Sequence, residues 1–166
     1  MSEKDKVFDS KIKQTSIFDF KEFYKFCYTW LADEEYDVTE NTYSEKVTAT
    51  GKEIEIEWAA ERKVSDYFKF VIKTNWRILG MVDVEVQKNN TKVKMNKGQA
   101  EVKVSAYIEK DYVNRWEENP FLKFLRGVYD KWIIKERIKL YEQKLFGEAD
   151  EFASQAKAFL DLEGQH

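Results

Sequence analysis

Two hydrophobic rhythms divide the chain. Between Asp19 and Asp33, Phe20, Phe23, Tyr24, Phe26, Cys27, Tyr28, Trp30 and Leu31 crowd nearly every side of a helix. A helix apolar almost all round buries most of its surface, so this one is expected to be central. Asp19 precedes it as an N-cap with Glu22 three residues on, and Phe18 and Phe23 have the spacing of a hydrophobic staple. From Tyr36 the period changes to two. Ile54, Ile56, Trp58 and Ala60 share one face, as do Phe68, Phe70, Ile72, Trp76 and Ile78, then Val82, Val84 and Val86, and last Ala100, Val102, Val104, Ala106 and Ile108. This alternation predicts strands buried on one side. Gly51 and Asn89-Asn90 fall where hairpin turns are needed, and the break of phase at Asn96-Lys97-Gly98 predicts another tight turn, with a β-bulge as the alternative.

The opposite face of these strands carries charges whose sign changes strand by strand. Glu53, Glu55 and Glu57 are followed by Lys69, Lys73 and Arg77, then by Asp83 and Glu85, then by Lys92 and Lys94. Antiparallel neighbours with cross-strand ion pairs produce this order, and a wrong register would oppose like charges. The carboxylates are therefore expected to pair with lysine and arginine rather than to hold a hard cation.

Asn119-Pro120 opens a helix by placing proline at its first position. Its apolar stripe changes sides. Phe121, Leu122, Leu125, Val128, Tyr129, Trp132 and Ile133 share one face, and Ile134, Ile138, Tyr141 and Leu145 take over on the side of Gly127. One stripe can cover a sheet, and the other then faces a second body. Gly147 is expected to end this helix, and a final helix carries Ala149, Phe152, Ala153, Ala156, Phe159 and Leu160 on one side. Folded back as a hairpin, it would cover the second stripe.

The expected architecture is a single α+β domain over residues 1–166. An N-terminal segment or first strand (1–18) precedes a helix (19–33), an antiparallel meander of about six or seven strands (36–109), a long helix (120–146) and a short final helix (148–163). The two larger helices cover one face of the meander. This element order resembles the helix-grip arrangement of START-like lipid-binding domains. The resemblance implies a cavity between sheet and long helix, which Trp58, Phe68, Phe70, Trp76, Phe121, Leu125 and Trp132 would line, whereas close packing favours a core that these large side chains fill.

Composition narrows the chemistry. The chain has 166 residues, 43% hydrophobic and 16% aromatic, enough for a sizeable core. Net charge is −3, although Lys88 to Lys144 holds 14 basic against 8 acidic residues. Those lysines and arginines are expected on sheet and helix surfaces, so nucleic acid is not the expected partner. The first residues lack the apolar run of a signal peptide, and the single Cys27 suits a reducing compartment, so a cytoplasmic location is expected. The only histidine is His166, and there is no Gly-rich phosphate loop, so no catalytic set, metal site or cofactor is expected.

The expected role is accordingly binding or assembly without catalysis. Gly127, Ile134, Ile138, Tyr141 and Leu145 form the expected face for a protein partner or a second copy. A hydrophobic ligand in the sheet–helix cavity is the alternative, and a membrane-surface role through the Ile134–Leu145 stripe ranks third.

Overall fold

The computed structural model of the protein describes residues 3–110, 120–128 and 135–163. Its elements run β1 (Glu3–Phe18), α1 (Phe20–Asp33), β2 (Asp37–Thr48), β3 (Gly51–Lys63), β4 (Phe68–Lys88), β5 (Thr91–Lys110), α2 (Pro120–Val128) and α3 (Lys135–Glu163). Among the described residues the strands form one five-stranded sheet, ordered β1-β5-β4-β3-β2. Every neighbouring pair is antiparallel, so β1 and β2 are the two edges.

The sheet has fewer strands than the six or seven expected, because two apparent interruptions lie inside long strands. β4 continues through Gly80, and β5 continues through Asn96, Lys97 and Gly98. The expected turn at Asn96-Lys97-Gly98 is paired strand, with Asn96 opposite Asp83 and Lys97 opposite Val82. The change of phase comes from a bulge in β4. Leu79 faces Gln99 and Val82 faces Lys97, so Gly80 and Met81 together face Gly98. Gly80 takes a left-handed φ of 61°, as the first residue of such a bulge often does. A Cβ at Gly98 would lie 3.1 Å from the Cα of Met81, so the missing side chain gives the bulge its room. The expected turn at Asn89-Asn90 does join β4 to β5: both residues have positive φ, as a two-residue hairpin of the I′ kind requires.

α1 and α3 lie side by side on one face of the sheet. α3 packs along β1 and β5, while α1 meets α3 and β2 and sets Phe23 and Tyr24 against Trp76 and Trp58. Phe18, Phe23, Cys27, Leu31, Ile56, Phe70, Ile72, Ile78, Val102 and Leu145 are fully buried between these layers. Asp19 caps α1 by accepting a hydrogen bond from the Glu22 backbone N–H at 3.3 Å. At the other end Tyr36 N–H reaches the Leu31 carbonyl at 3.0 Å and Glu35 N–H reaches that of Ala32. This is a Schellman closure, and Glu35 occupies the left-handed position usually given to glycine, with φ 68°.

The C-terminal helices depart most from expectation. Gly147 does not end a helix: α3 runs through it to Glu163, so there is no hairpin at Gly147 and no separate final helix. The reason is a single stripe on both sides of the glycine. Leu145, Ala149, Phe152, Ala153, Ala156 and Leu160 are all buried on the sheet-facing side. An interior glycine costs about 1 kcal/mol, which this burial outweighs. Of the expected helix 120–146, the parts 120–128 and 135–146 are helical, and 129–134 lie outside the described residues.

Candidate functional site

The structure separates the residues expected to line a cavity. Trp58, Phe68, Phe70 and Trp76 are buried in the core, where the Trp58 and Trp76 rings meet at a 53° tilt with centroids 4.9 Å apart. Tyr141 of α3 closes over Phe68 at 5.1 Å and Phe70 at 5.9 Å. Phe121 is 67% exposed, Leu125 is half-buried, and Trp132 lies outside the described residues. None of the first-stripe residues that are described, Phe121, Leu122, Leu125 and Val128, is buried in the core.

The residues expected to face a partner have the reverse fate. Leu145 is fully buried, and Ile138 and Tyr141 pack against the same core. These three belong to the sheet-facing side of α3 and are covered by the chain itself. Gly127 is exposed, with open space where a Cβ would stand, and Ile134 lies outside the described residues. Among the described residues no close backbone contact accounts for Gly127.

The cross-strand ion pairs follow the sheet in part. Arg77 reaches Glu53 at 3.6 Å and Glu55 at 3.9 Å, and Lys94 reaches Asp83 at 3.3 Å. Lys69 pairs instead with Glu61 and Glu109, both outside the set expected for it. Cys27 is fully buried, and burial pushes its thiol well above the ordinary range, away from nucleophile chemistry.

Two concave features set α3 against a strand of the sheet. The first, about 650 Å³, lies where the end of α1 meets α3 and is lined by Asp33, Glu34, Glu35, Arg62, Val64, Tyr141, Lys144 and Glu148. Its wall is an ion pair between Arg62 and Glu148 at 2.7 Å, stacked over the Tyr36 ring at 4.7 Å. Tyr36 donates its hydroxyl to Glu148, and burial, followed by the Glu148 charge, raises the Tyr36 pKa. With both charges spent on each other, this corner is a structural joint.

The second is a groove of about 280 Å³ along the sheet edge. One wall is five consecutive β1 residues, Ser10 to Gln14, and the other is Asp150, Ala153, Ser154 and Lys157 of α3. Ala153 and Ser154 present only small side chains to this groove. An edge strand turns alternate backbone N–H and C=O groups away from its neighbour. Among the described residues no turn, loop or cap makes a backbone hydrogen bond to β1. The strand alternates: Ile12 is buried on the helix side, whereas Lys11 and Lys13 are exposed on the other, with Lys11 3.2 Å from Glu101. Lys157 has no ion-pair partner among the described residues. The first strand expected within residues 1–18 is present as Glu3–Phe18, but its place at the sheet edge was not expected from the sequence. Its signals were the alternating lysines of the first eighteen residues and the alanine stripe of the last helix.

The fold makes the chain a two-layer α+β protein, an open antiparallel sheet with two helices on one face. No protein-family model matches the chain, and no curated protein matches it. No helix among the described residues is long and apolar enough to cross a membrane.

Proposed function

We propose that the protein is a binding module for polypeptide, which takes an extended acidic segment of a partner along the free edge of β1. The observation that carries this reading is the groove between Ser10–Gln14 and α3. A partner strand laid there would hydrogen-bond to the outward backbone groups of β1, and its side chains would alternate between two environments. One set would meet Ile12 and Ala153, and the other would meet Lys11 and Lys13. Alternating apolar and acidic residues complement that pattern. The filled aromatic layer of Trp58, Trp76, Phe68 and Phe70 supports a surface role over a hydrophobic ligand held between sheet and long helix.

The test is fluorescence anisotropy with a labelled peptide of alternating valine and glutamate. Binding should weaken with added salt, because lysine–carboxylate contacts are screened. Ser154→Trp, at an exposed position of the α3 wall, should fill the groove and weaken binding at least about tenfold while the fold is unchanged. Equal binding of a valine–lysine peptide, or an unaffected Ser154→Trp variant, would refute the reading.

A further inference from the structure

The apolar residues of α2, Pro120–Val128, are not spent on the core. Phe121 and Phe124 are each 67% exposed, and Leu122, Leu125 and Val128 are half-buried. None of the five belongs to the hydrophobic core, whereas Ile138, Tyr141 and Leu145 of the later stripe are all packed in or against it. Two large aromatic side chains three residues apart are therefore held out on a helix that the sheet does not need.

The helix is cleanly divided. At about 100° per residue its five apolar residues fall within one arc of about 160°, and Lys123, Arg126 and Gly127 take the other side of the sequence pattern. Lys123 and Arg126 are the charged residues of α2, and both are positive, although the chain as a whole carries −3. The nearest acidic residues in the sequence, Glu118 and Asp130, lie outside α2 and outside the described residues. The start of α3 repeats the bias, with Lys135, Arg137 and Lys139 against Glu136.

A broad apolar arc of phenylalanine and leucine, flanked by cations, is the pattern of a helix that lies in a membrane interface. With 9 residues α2 is about 14 Å long, suited to lie along a bilayer and far too short to cross one. A protein groove would have to supply both an apolar trough and separate carboxylates for the cations. An anionic bilayer offers an acyl layer and a negative surface together at every point.

We propose that α2 docks the protein on an anionic lipid bilayer, with Phe121, Phe124 and Leu125 in the acyl boundary and Lys123 at the lipid phosphates. The contact is independent of the β1 edge, so either can fail without the other.

The experiment is co-sedimentation of the full chain with vesicles of phosphatidylcholine alone and of phosphatidylcholine mixed with phosphatidylserine in equal parts. Binding to the mixed vesicles should be at least about tenfold tighter and should weaken as salt is added. Phe121→Ser/Phe124→Ser, at two exposed positions, should lower binding to the mixed vesicles at least about tenfold, and Lys123→Glu should lower it by a similar factor. Val47→Ser, at an exposed apolar position of β2, should leave it unchanged. Equal binding to the two vesicle types, no binding to either, or no effect of the α2 substitutions would each overturn the assignment. So would a dimer in gel filtration that Phe121→Ser/Phe124→Ser converts to monomer, because the face would then belong to a second copy.

Discussion

Arg62 grips Glu148 with both ends of its guanidinium, Nη1 at 2.7 Å from one carboxylate oxygen and Nη2 at 2.9 Å from the other. Both side chains are only 14% exposed. Nη1 also donates to the Glu34 carbonyl at 2.7 Å, and the Tyr36 and Phe70 rings flank the guanidinium. One arginine thus joins β3, the end of α1 and the residue of α3 just after Gly147.

Removing one partner should be costly. Glu148→Gln or Arg62→Met would leave a largely desolvated charge with no counter-charge, and such losses run to about 3 kcal/mol. The double variant Arg62→Met/Glu148→Gln should recover part of that loss, because no uncompensated charge remains. Urea unfolding of the two single variants and the double variant measures the coupling. Additive losses would mean that the pair does not act as a unit.

Substitutions at Gly147 and Glu35 should stabilise, whereas one at Gly51 should destabilise. Gly147→Ala has open space in a helix interior and should stabilise by up to about 1 kcal/mol. Glu35→Gly, at φ 68°, should stabilise by about 1 kcal/mol through relief of left-handed strain. Gly51→Ala should destabilise by about 2 kcal/mol or more, since φ is 134° and its Cβ would strike the Met81 carbonyl. Thermal melts of the three variants test the signs together.

Leu145 separates a core residue from a partner contact. It is fully buried, so Leu145→Ala should cost about 2–5 kcal/mol at any protein concentration. Were it a self-association residue, the variant would change the mass eluted in gel filtration and leave the unfolding midpoint unchanged.

These cases show what the sequence carried legibly. The buried helix with its Asp19 cap, and the alternation of Ile54 to Ala60, Phe68 to Ile78 and Ala100 to Ile108, each express a local period that burial enforces. The bulge at Gly80–Met81 was not legible, because a glycine and a phase slip inside a strand look the same as a turn when the neighbouring strand is unknown. Gly147 misled for a related reason. Local propensity marks a break there, but Leu145 and Ala149 on either side are anchored in one core. The edge groove and the Arg62–Glu148 joint depend on pairings between distant parts of the chain, which periodicity does not encode.

Tyr24 ties stability to alkaline pH. Its hydroxyl donates to Glu40 at 2.7 Å, and burial, then that hydrogen bond and the Glu40 charge, push its pKa from 10.0 up to about 12. A raised phenol pKa means that the folded state holds the proton more tightly. The stabilisation is complete below pH 10 and is lost as the pH rises toward 12. The stability difference between the wild type and Tyr24→Phe should therefore shrink across that window, and Glu40→Gln should lower the Tyr24 titration in an ultraviolet phenolate assay. A Tyr24 titration unmoved by Glu40→Gln would show that the contact does not set it.

The central claim is that the free edge of β1 receives an extended chain, and amide hydrogen exchange by NMR tests it most directly. With a saturating valine–glutamate peptide, alternate amides among residues 9–15 should exchange at least about tenfold more slowly, since newly bonded N–H groups must open first. The amides of β2, Asp37–Thr48, at the other edge should be unchanged. Unaltered exchange along β1, or protection of β2 instead, would contradict the account.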